Sequence, residues 1–247
     1  IGIPAIKFNW RGESTLHKDY TKIVLYAKDK GVFHDLMANS NFNFRPHALE
    51  GIMAMTKLMV SLDSTIPEIH AKMRVGADYD RVIGNIRSVI ARGHPNFWVR
   101  RVRTRINEHE PFLERCRKLF GSSGYRVSEH ACFDRNENAH LGLDAVSTMP
   151  GELPRRYCEY PSQRLVVTAT GSVMPCCLDL HETISVGNVT KTPLLEIWNS
   201  AGLSSLRETL KQNQPDIMPP VCKTCESWKS YAHPNRNLVD DVEMVAA

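Results

Sequence analysis

Three successive stretches decide the fold: "KLMVSLD" (residues 57–63), "DYDRVIGNIRSVIARG" (78–93) and "FWVRRVRTRI" (97–106). The outer two are short and rich in apolar and β-branched residues, which predicts strands. The middle one is an amphipathic helix with Asp78 and Asp80 in its first turn and Gly93 to close it. The same rhythm extends both ways. "AIKFNW" (5–10) reads as a strand and "KDYTKIVLYAKDKG" (18–31) as a helix ending at Gly31. "HDLMANS" (34–40) is a strand and "PHALEGIMAM" (46–55) a short helix with proline near its start. "EPFLERCRKLF" (110–120) is a helix, and "YRVSEHACF" (125–133) a fifth strand. Repeated βα units of this length predict an α/β domain, a parallel sheet covered by helices, over 1–133.

Residues 134–156 break the rhythm with polar, Pro and Gly residues and read as a linker. Beyond them "RLVVTATGSVMPCC" (164–177) reads as a β-hairpin around "ATGS", with Cys176 and Cys177 on its second strand and facing opposite ways. A single helix, "PLLEIWNSAGLSSLRETLKQ" (193–212), follows, and then "PPVCKTCESW" (219–228). This small cysteine-rich domain spans 157–231, and 232–247 read as a flexible tail.

The 247 residues, 42% hydrophobic and 23% charged, are ordinary for a globular chain, and no apolar run reaches membrane-span length. A net charge of +4 is too mild to argue for nucleic acid, and the arginines are not interleaved with aromatics as in an RNA-binding motif. With no signal-peptide pattern, the seven cysteines predict reduced thiols in a cytoplasmic protein rather than a disulfide framework. None precedes Cys116, and four fall in two tight groups, Cys176/Cys177 and Cys222/Cys225. Cys222 and Cys225 form a CxxC knuckle, and the hairpin can carry Cys176 back beside Cys158. Four such thiolates suit either tetrahedral zinc or an iron–sulfur cluster, and spacing does not separate the two.

The segment from Cys158 to Cys225 closely resembles the SPASM/twitch domain of radical S-adenosylmethionine (SAM) enzymes. The likeness rests on Cys158, the Gly-x4-Cys step from Gly171 to Cys176, the "VGNV" turn, the "EIWNS" helix and the terminal CxxC. It implies an auxiliary [4Fe-4S] cluster on Cys158, Cys176, Cys222 and Cys225, with Cys177 a small buried hydrophobe on the far side of the strand. No cysteine follows Cys225, which implies the shorter, single-cluster form.

The N-terminal half resembles the same family. Arg11, Gly12, Glu13 and Ser14 occupy the places of its Gly-Gly-Glu-Pro loop, with Arg11 and Ser14 departing from the pattern. By this likeness Gly12, Glu13 and Ser14 approach the methionyl end of SAM. "NSNF" (39–42) resembles the family's Thr-Asn-Gly strand end and brings in Asn41. "VSLDS" (60–64) resembles the strand whose Ser61 and Asp63 sit near the ribose, and Arg74 follows as a carboxylate contact. The resemblance implies a partial (β/α) TIM-like barrel and an oxidoreductase or maturase. Its parent would generate a 5′-deoxyadenosyl radical to abstract hydrogen from a peptide or small molecule, with flavodoxin or ferredoxin as reductant. The family's Cys-x3-Cys-x2-Cys loop for the catalytic, second [4Fe-4S] cluster has no counterpart here. The reading is therefore of an N-terminally truncated barrel, lacking first strand and catalytic loop and inactive alone. The alternative is a non-catalytic binding protein with a structural four-cysteine zinc site.

Independently of the family, "FWVRRVRTRI" places Arg101, Arg103 and Arg105 on one strand face. With Trp98, Val102, Thr104 and Ile106 opposite and turned toward helices, the three arginines would line the barrel interior and receive an anionic group. His17, His34, His130 and His140 have no metal-ligand spacing and read as ordinary polar residues. "NEHE" (107–110) falls at a helix N-terminus and reads as a cap.

Overall fold

A parallel strand buried under helices needs a largely apolar face, and strands three and four supply it where they pair. In the computed structural model Leu58 lies opposite Phe97 and Val60 opposite Val99. All four are buried in a core shared with the helices. The structure describes residues 3–31, 33–131, 157–223, 225 and 242–245. The chain divides into two units, Ile1–Ser147 with Asn237–Ala247 and Thr148–Arg236.

In the first unit β1 (Ile3–Lys7), β2 (Phe33–Ser40), β3 (Lys57–Ser61), β4 (Phe97–Arg103) and β5 (Arg126–Ala131) lie in sequence order, each parallel to the next. Sequential order with right-handed crossovers puts every helix on one face of the sheet, as in a barrel wall. These helices are α1 (Tyr20–Lys30), α2 (Leu49–Met53), α3 (Pro67–Met73), α4 (Tyr79–Ala91) and α5 (Phe112–Phe120). Val24, Ile52, Val82, Ile86, Val89, Phe112 and Cys116 come from four of them and pack with the strand core. Each large apolar side chain so buried contributes about 1.5–3 kcal/mol. Gly31 ends α1 in the left-handed conformation, and the Asp78 carboxylate caps α4 by accepting from the Arg81 N–H.

Four expectations change. A helix, α3, stands where none was read; Pro67 in its first turn was the available signal. Glu110 does not cap α5. Its buried carboxylate accepts from Ser64 Oγ at 2.6 Å and Thr65 N–H at 2.8 Å, joining the loop after β3 to the loop after β4. Val242–Val245, read as flexible tail, forms β9, antiparallel to β5. The fourth change concerns the arginine strand. Arg101 has the parity of Phe97 and Val99, so it points under the helices and not into the interior. It is 3% exposed, donates to the carbonyls of Asn107 and Glu110, pairs with Glu129 at 2.8 Å and stacks on Phe112. Arg103 shares that parity, and Arg105 lies beyond the strand. Trp98, Arg100 and Val102 take the opposite face, where the Trp98 ring sits between Lys57 and Arg126. The residues read as linker, and His140 with them, lie outside the described residues.

The second unit holds α6 (Tyr160–Gln163) and a three-stranded antiparallel sheet of β6 (Val166–Val167), β7 (Ser172–Met174) and β8 (Gly187–Asn188). It continues with α7 (Leu194–Trp198), α8 (Ala201–Gln212) and α9 (Pro220–Lys223). The single helix read over 193–212 is two, because Ser200 adopts an extended conformation and its hydroxyl caps α8 through the Leu203 N–H. Leu203, Leu206, Leu210 and Met218 form the core, with Tyr157, Cys158, Ile184, Trp198 and Cys222 packed on it.

Two buried histidines make the first unit acid-sensitive. His70 donates to the Leu62 carbonyl at 2.7 Å, and His94 bridges the Met55 carbonyl and the Asn96 N–H. Burial lowers both pKa values from the ordinary 6.5. The unfolded chain then binds more protons below pH 6.5, so the stability they confer is complete above that pH and is lost as pH falls through the depressed values. Thermal unfolding followed from pH 7.5 to 5 should show a falling midpoint. His94→Leu should flatten that fall and cost about 1–3 kcal/mol at pH 7.5 through the unpaired carbonyl and N–H.

Candidate cofactor and cluster sites

The loops leaving β1, β2 and β3 each contain a non-glycine residue with positive φ: Arg11 at 39°, Phe42 at 58° and Asp63 at 60°. Such conformations cost on the order of 1–3 kcal/mol each and persist only where surroundings impose them. Here the imposing contacts are visible. Phe42 is fully buried and stacks on Phe97 at 5.4 Å. Asp63 is 2% exposed and bonds on every side.

These bonds join the residues read as cofactor-binding. Glu13 Oε1 accepts from Thr15 N–H at 3.1 Å, from the Thr15 hydroxyl at 2.5 Å and from Ser40 Oγ at 3.0 Å. Its Oε2 accepts from the Asn41 N–H at 2.6 Å. Asn41 Oδ1 accepts from Arg74 Nη1 at 3.1 Å, and Arg74 forks onto Asp63 Oδ2 with Nε and Nη2 both at 2.5 Å. Asp63 Oδ1 accepts from the Val102 N–H at 2.8 Å. One chain of hydrogen bonds thus runs from Glu13 through Asn41, Arg74 and Asp63 to β4, across the ends of four strands. The departures from Gly-Gly-Glu-Pro are accommodated locally. Gly12 holds φ 81°, Arg11 adopts positive φ against Trp10, and Ser14 Oγ donates to the Phe8 carbonyl at 2.7 Å to close the loop. Ser61 stands apart from this chain on the face opposite the helices, donating to Asn39 Oδ1 at 2.9 Å. The carboxylate that Arg74 contacts is Asp63, within the protein itself.

In the second unit β7 ends at Met174, so the alternation argument for the cysteine pair does not apply: Cys176 and Cys177 both lie past the strand. The neighbouring Cys177 thiol and then burial push the Cys176 thiol well up. The Leu178 N–H also points at Cys176 Sγ, at 3.3 Å. Cys158, Cys176, Cys222 and Cys225 line a single pocket with Pro161, Leu210 and Met218, and Cys177 is not in its wall.

Zinc with bonds of about 2.3 Å holds its sulfurs about 3.8 Å apart. Among the described residues no three His, Cys, Asp or Glu side chains approach closely enough to hold a single metal ion. Cys158, Cys176, Cys222 and Cys225 share one apolar pocket, whose thiols suit either zinc or an iron–sulfur cluster.

The hairpin signature has a steric cause. Gly171, at φ 80°, packs so tightly that a Cβ would lie 2.8 Å from Asn188 Oδ1 and 2.9 Å from Thr190 Cγ2. Asn188 needs that place, since its side chain donates to the Thr170 carbonyl and accepts from the Thr190 N–H. A Cβ on Gly187 would meet Ile197 at 3.0 Å. The glycines at 171 and 187 thus let the hairpin dock on Asn188 and α7.

The comparisons with known proteins agree with this geometry. Residues 158–226 match the SPASM family model, described as an iron–sulfur cluster-binding domain. Over 70 residues the chain is 31% identical to an S-adenosyl-L-methionine-dependent 2-deoxy-scyllo-inosamine dehydrogenase of Niallia circulans, a match spanning 28% of each. Two solved structures share the fold. BtrN in complex with AdoMet and 2-DOIA superposes with a TM-score of 0.53 at 19% identity, covering 91% of this chain and 73% of that one. Streptococcus suis SuiB bound to precursor peptide SuiA superposes at 0.58 and 13% identity, covering 93% and 62%. The sheet thus has the fold found in these two structures, and the second unit carries the iron–sulfur domain family that the sequence resembles.

Gly171→Ala should destabilise the second unit by roughly 1–3 kcal/mol, from the positive φ and the displaced Asn188. Denaturant unfolding of the two chains, compared at equal pH, measures it.

Proposed function

We propose that this chain, a radical SAM-type partial barrel carrying a SPASM iron–sulfur domain, belongs to an oxidoreductase or maturase that modifies its substrate by hydrogen abstraction. The observation that carries the reading is the ring of four cysteines around one pocket inside the segment matched to an iron–sulfur cluster-binding domain. Cys158, Cys176, Cys222 and Cys225 would hold an auxiliary [4Fe-4S] cluster, with Cys177 outside the ligand set. The pocket's apolar wall of Pro161, Leu210 and Met218 would keep water from it.

S-adenosylmethionine would lie along the Glu13–Asn41–Arg74–Asp63 chain. Among the described residues Glu13 Oε2 accepts from one donor, the Asn41 N–H, which would leave a lone pair for an ammonium. Arg74 uses three of its five N–H groups on Asp63 and Asn41, leaving two for a carboxylate. Asp63 would act by fixing Arg74 and the β3 loop, and Ser61 would face the ribose side. The cofactor supplies a 5′-deoxyadenosyl radical when reductively cleaved at a three-cysteine cluster; the residues here bind and orient it. No Cys-x3-Cys-x2-Cys occurs in the sequence, so this chain by itself would not carry out that cleavage. The electron donor would be a small reductase such as flavodoxin or ferredoxin.

Two substrate classes are supported by the similar proteins. One is a small hydroxylated molecule, by likeness to the inosamine dehydrogenase, and the other is a peptide, by likeness to SuiB with its precursor peptide. Neither fold nor domain type chooses between them.

The chain purified without oxygen should contain about four irons and four sulfides with broad visible absorption. Cys222→Ala should abolish both, and Cys177→Ala should keep them. Zinc with no colour, persisting after iron–sulfur reconstitution, would overturn the reading.

A further inference from the structure

Beyond the cysteines, the pocket wall contains, among the described residues, one carboxyl side chain. Asp179 is 1% exposed and lines the same pocket as Cys158, Cys176, Cys222 and Cys225. Its Oδ1 accepts from Thr183 Oγ1 at 2.9 Å and its Oδ2 from the Ile184 N–H at 2.7 Å. Both donors are neutral, and among the described residues Asp179 forms no ion pair. A buried carboxylate without a cation is costly, and such groups are kept where they serve a purpose.

The surroundings suggest two purposes. First, the two hydrogen bonds close the 179–184 loop directly after the cysteine pair. Ile184 is tied to the carboxylate, lines the pocket and packs on the Leu203–Leu210 core, so the segment carrying Cys176 is anchored from its C-terminal side. Second, a fixed negative charge beside a redox cluster opposes its reduction, because each added electron must enter the field of that charge in a medium of low dielectric. The Leu178 N–H bond to Cys176 Sγ acts the other way, by stabilising added negative charge on sulfur.

We infer that Asp179 is a positioning and tuning residue for the cluster site, holding the Cys176 arm in place and lowering the reduction potential of the group bound there. The inference rests on the proposed cluster. It assigns the carboxylate to the second coordination layer, three residues after Cys176 and acting through space.

Two substitutions separate charge from scaffold. Asp179→Asn removes the charge but keeps both hydrogen bonds: the amide oxygen faces the Ile184 N–H, and the amide N–H₂ donates to Thr183 Oγ1, since a hydroxyl can reverse its role. Thr183→Val removes one hydrogen bond and keeps the charge. Each chain is reconstituted anaerobically, assayed for iron and sulfide, and titrated against redox mediators with the reduced cluster followed by electron paramagnetic resonance. The expected result is wild-type iron content in Asp179→Asn with the midpoint shifted to more positive potential. Thr183→Val should hold the wild-type midpoint while losing iron faster to a chelator. An unchanged midpoint in a fully loaded Asp179→Asn overturns the inference, as does equal loss of cluster from both variants, which would make the residue scaffold alone. A wild-type chain that takes up no cluster would sink the proposed function itself, an outcome read from its iron content before either variant is considered.

Discussion

The buried carboxylate of Asp63 is the knot of the first unit. It receives the Arg74 guanidinium on one oxygen and the Val102 N–H on the other, while its own carbonyl accepts from the Asn107 side chain. The segment after α3, the strand β4 and the turn that follows β4 therefore meet on one residue. Asp63 adopts a left-handed backbone conformation, which a side chain tolerates only when contacts of this kind hold it. A charge at 2% exposure is stable here because it is paired and hydrogen-bonded throughout. The order of the other loops follows: Arg74, fixed by Asp63, reaches Asn41, and the Asn41 backbone reaches Glu13.

Much of this was legible in the sequence, and particular residues show why. The βα alternation could be read because apolar residues on strands and helices serve one shared core, and each strand or helix carries its own share of the pattern. Asp78 and Gly31 marked helix ends through local chemistry alone. The grouping of Cys158, Cys176, Cys222 and Cys225 was suggested by their spacing, and the structure lines one pocket with all four.

What could not be read depended on facing partners. Counting arginines along "FWVRRVRTRI" gave Arg101 to the interior, yet Phe97 and Val99 share its parity and, being apolar, decide which face the helices cover. A buried Arg is costly in general, and here it meets the Glu129 carboxylate, two backbone carbonyls and the Phe112 ring. Glu110 was taken for a local cap because its partners, Ser64 and Thr65, lie 45 or more residues away. Cys177 was turned away from Cys176 on the premise of a strand that in fact stops at Met174. Each error treated as local a choice that tertiary contacts made.

The strand Val242–Val245 pairs with β5 although more than a hundred residues separate them. In topological terms β5 and β9 form a hairpin whose loop contains an entire domain. Closing a flexible loop of that length has an entropic cost that grows as the logarithm of its length. Seating β9 on the sheet edge therefore bears an entropic cost that a short hairpin does not.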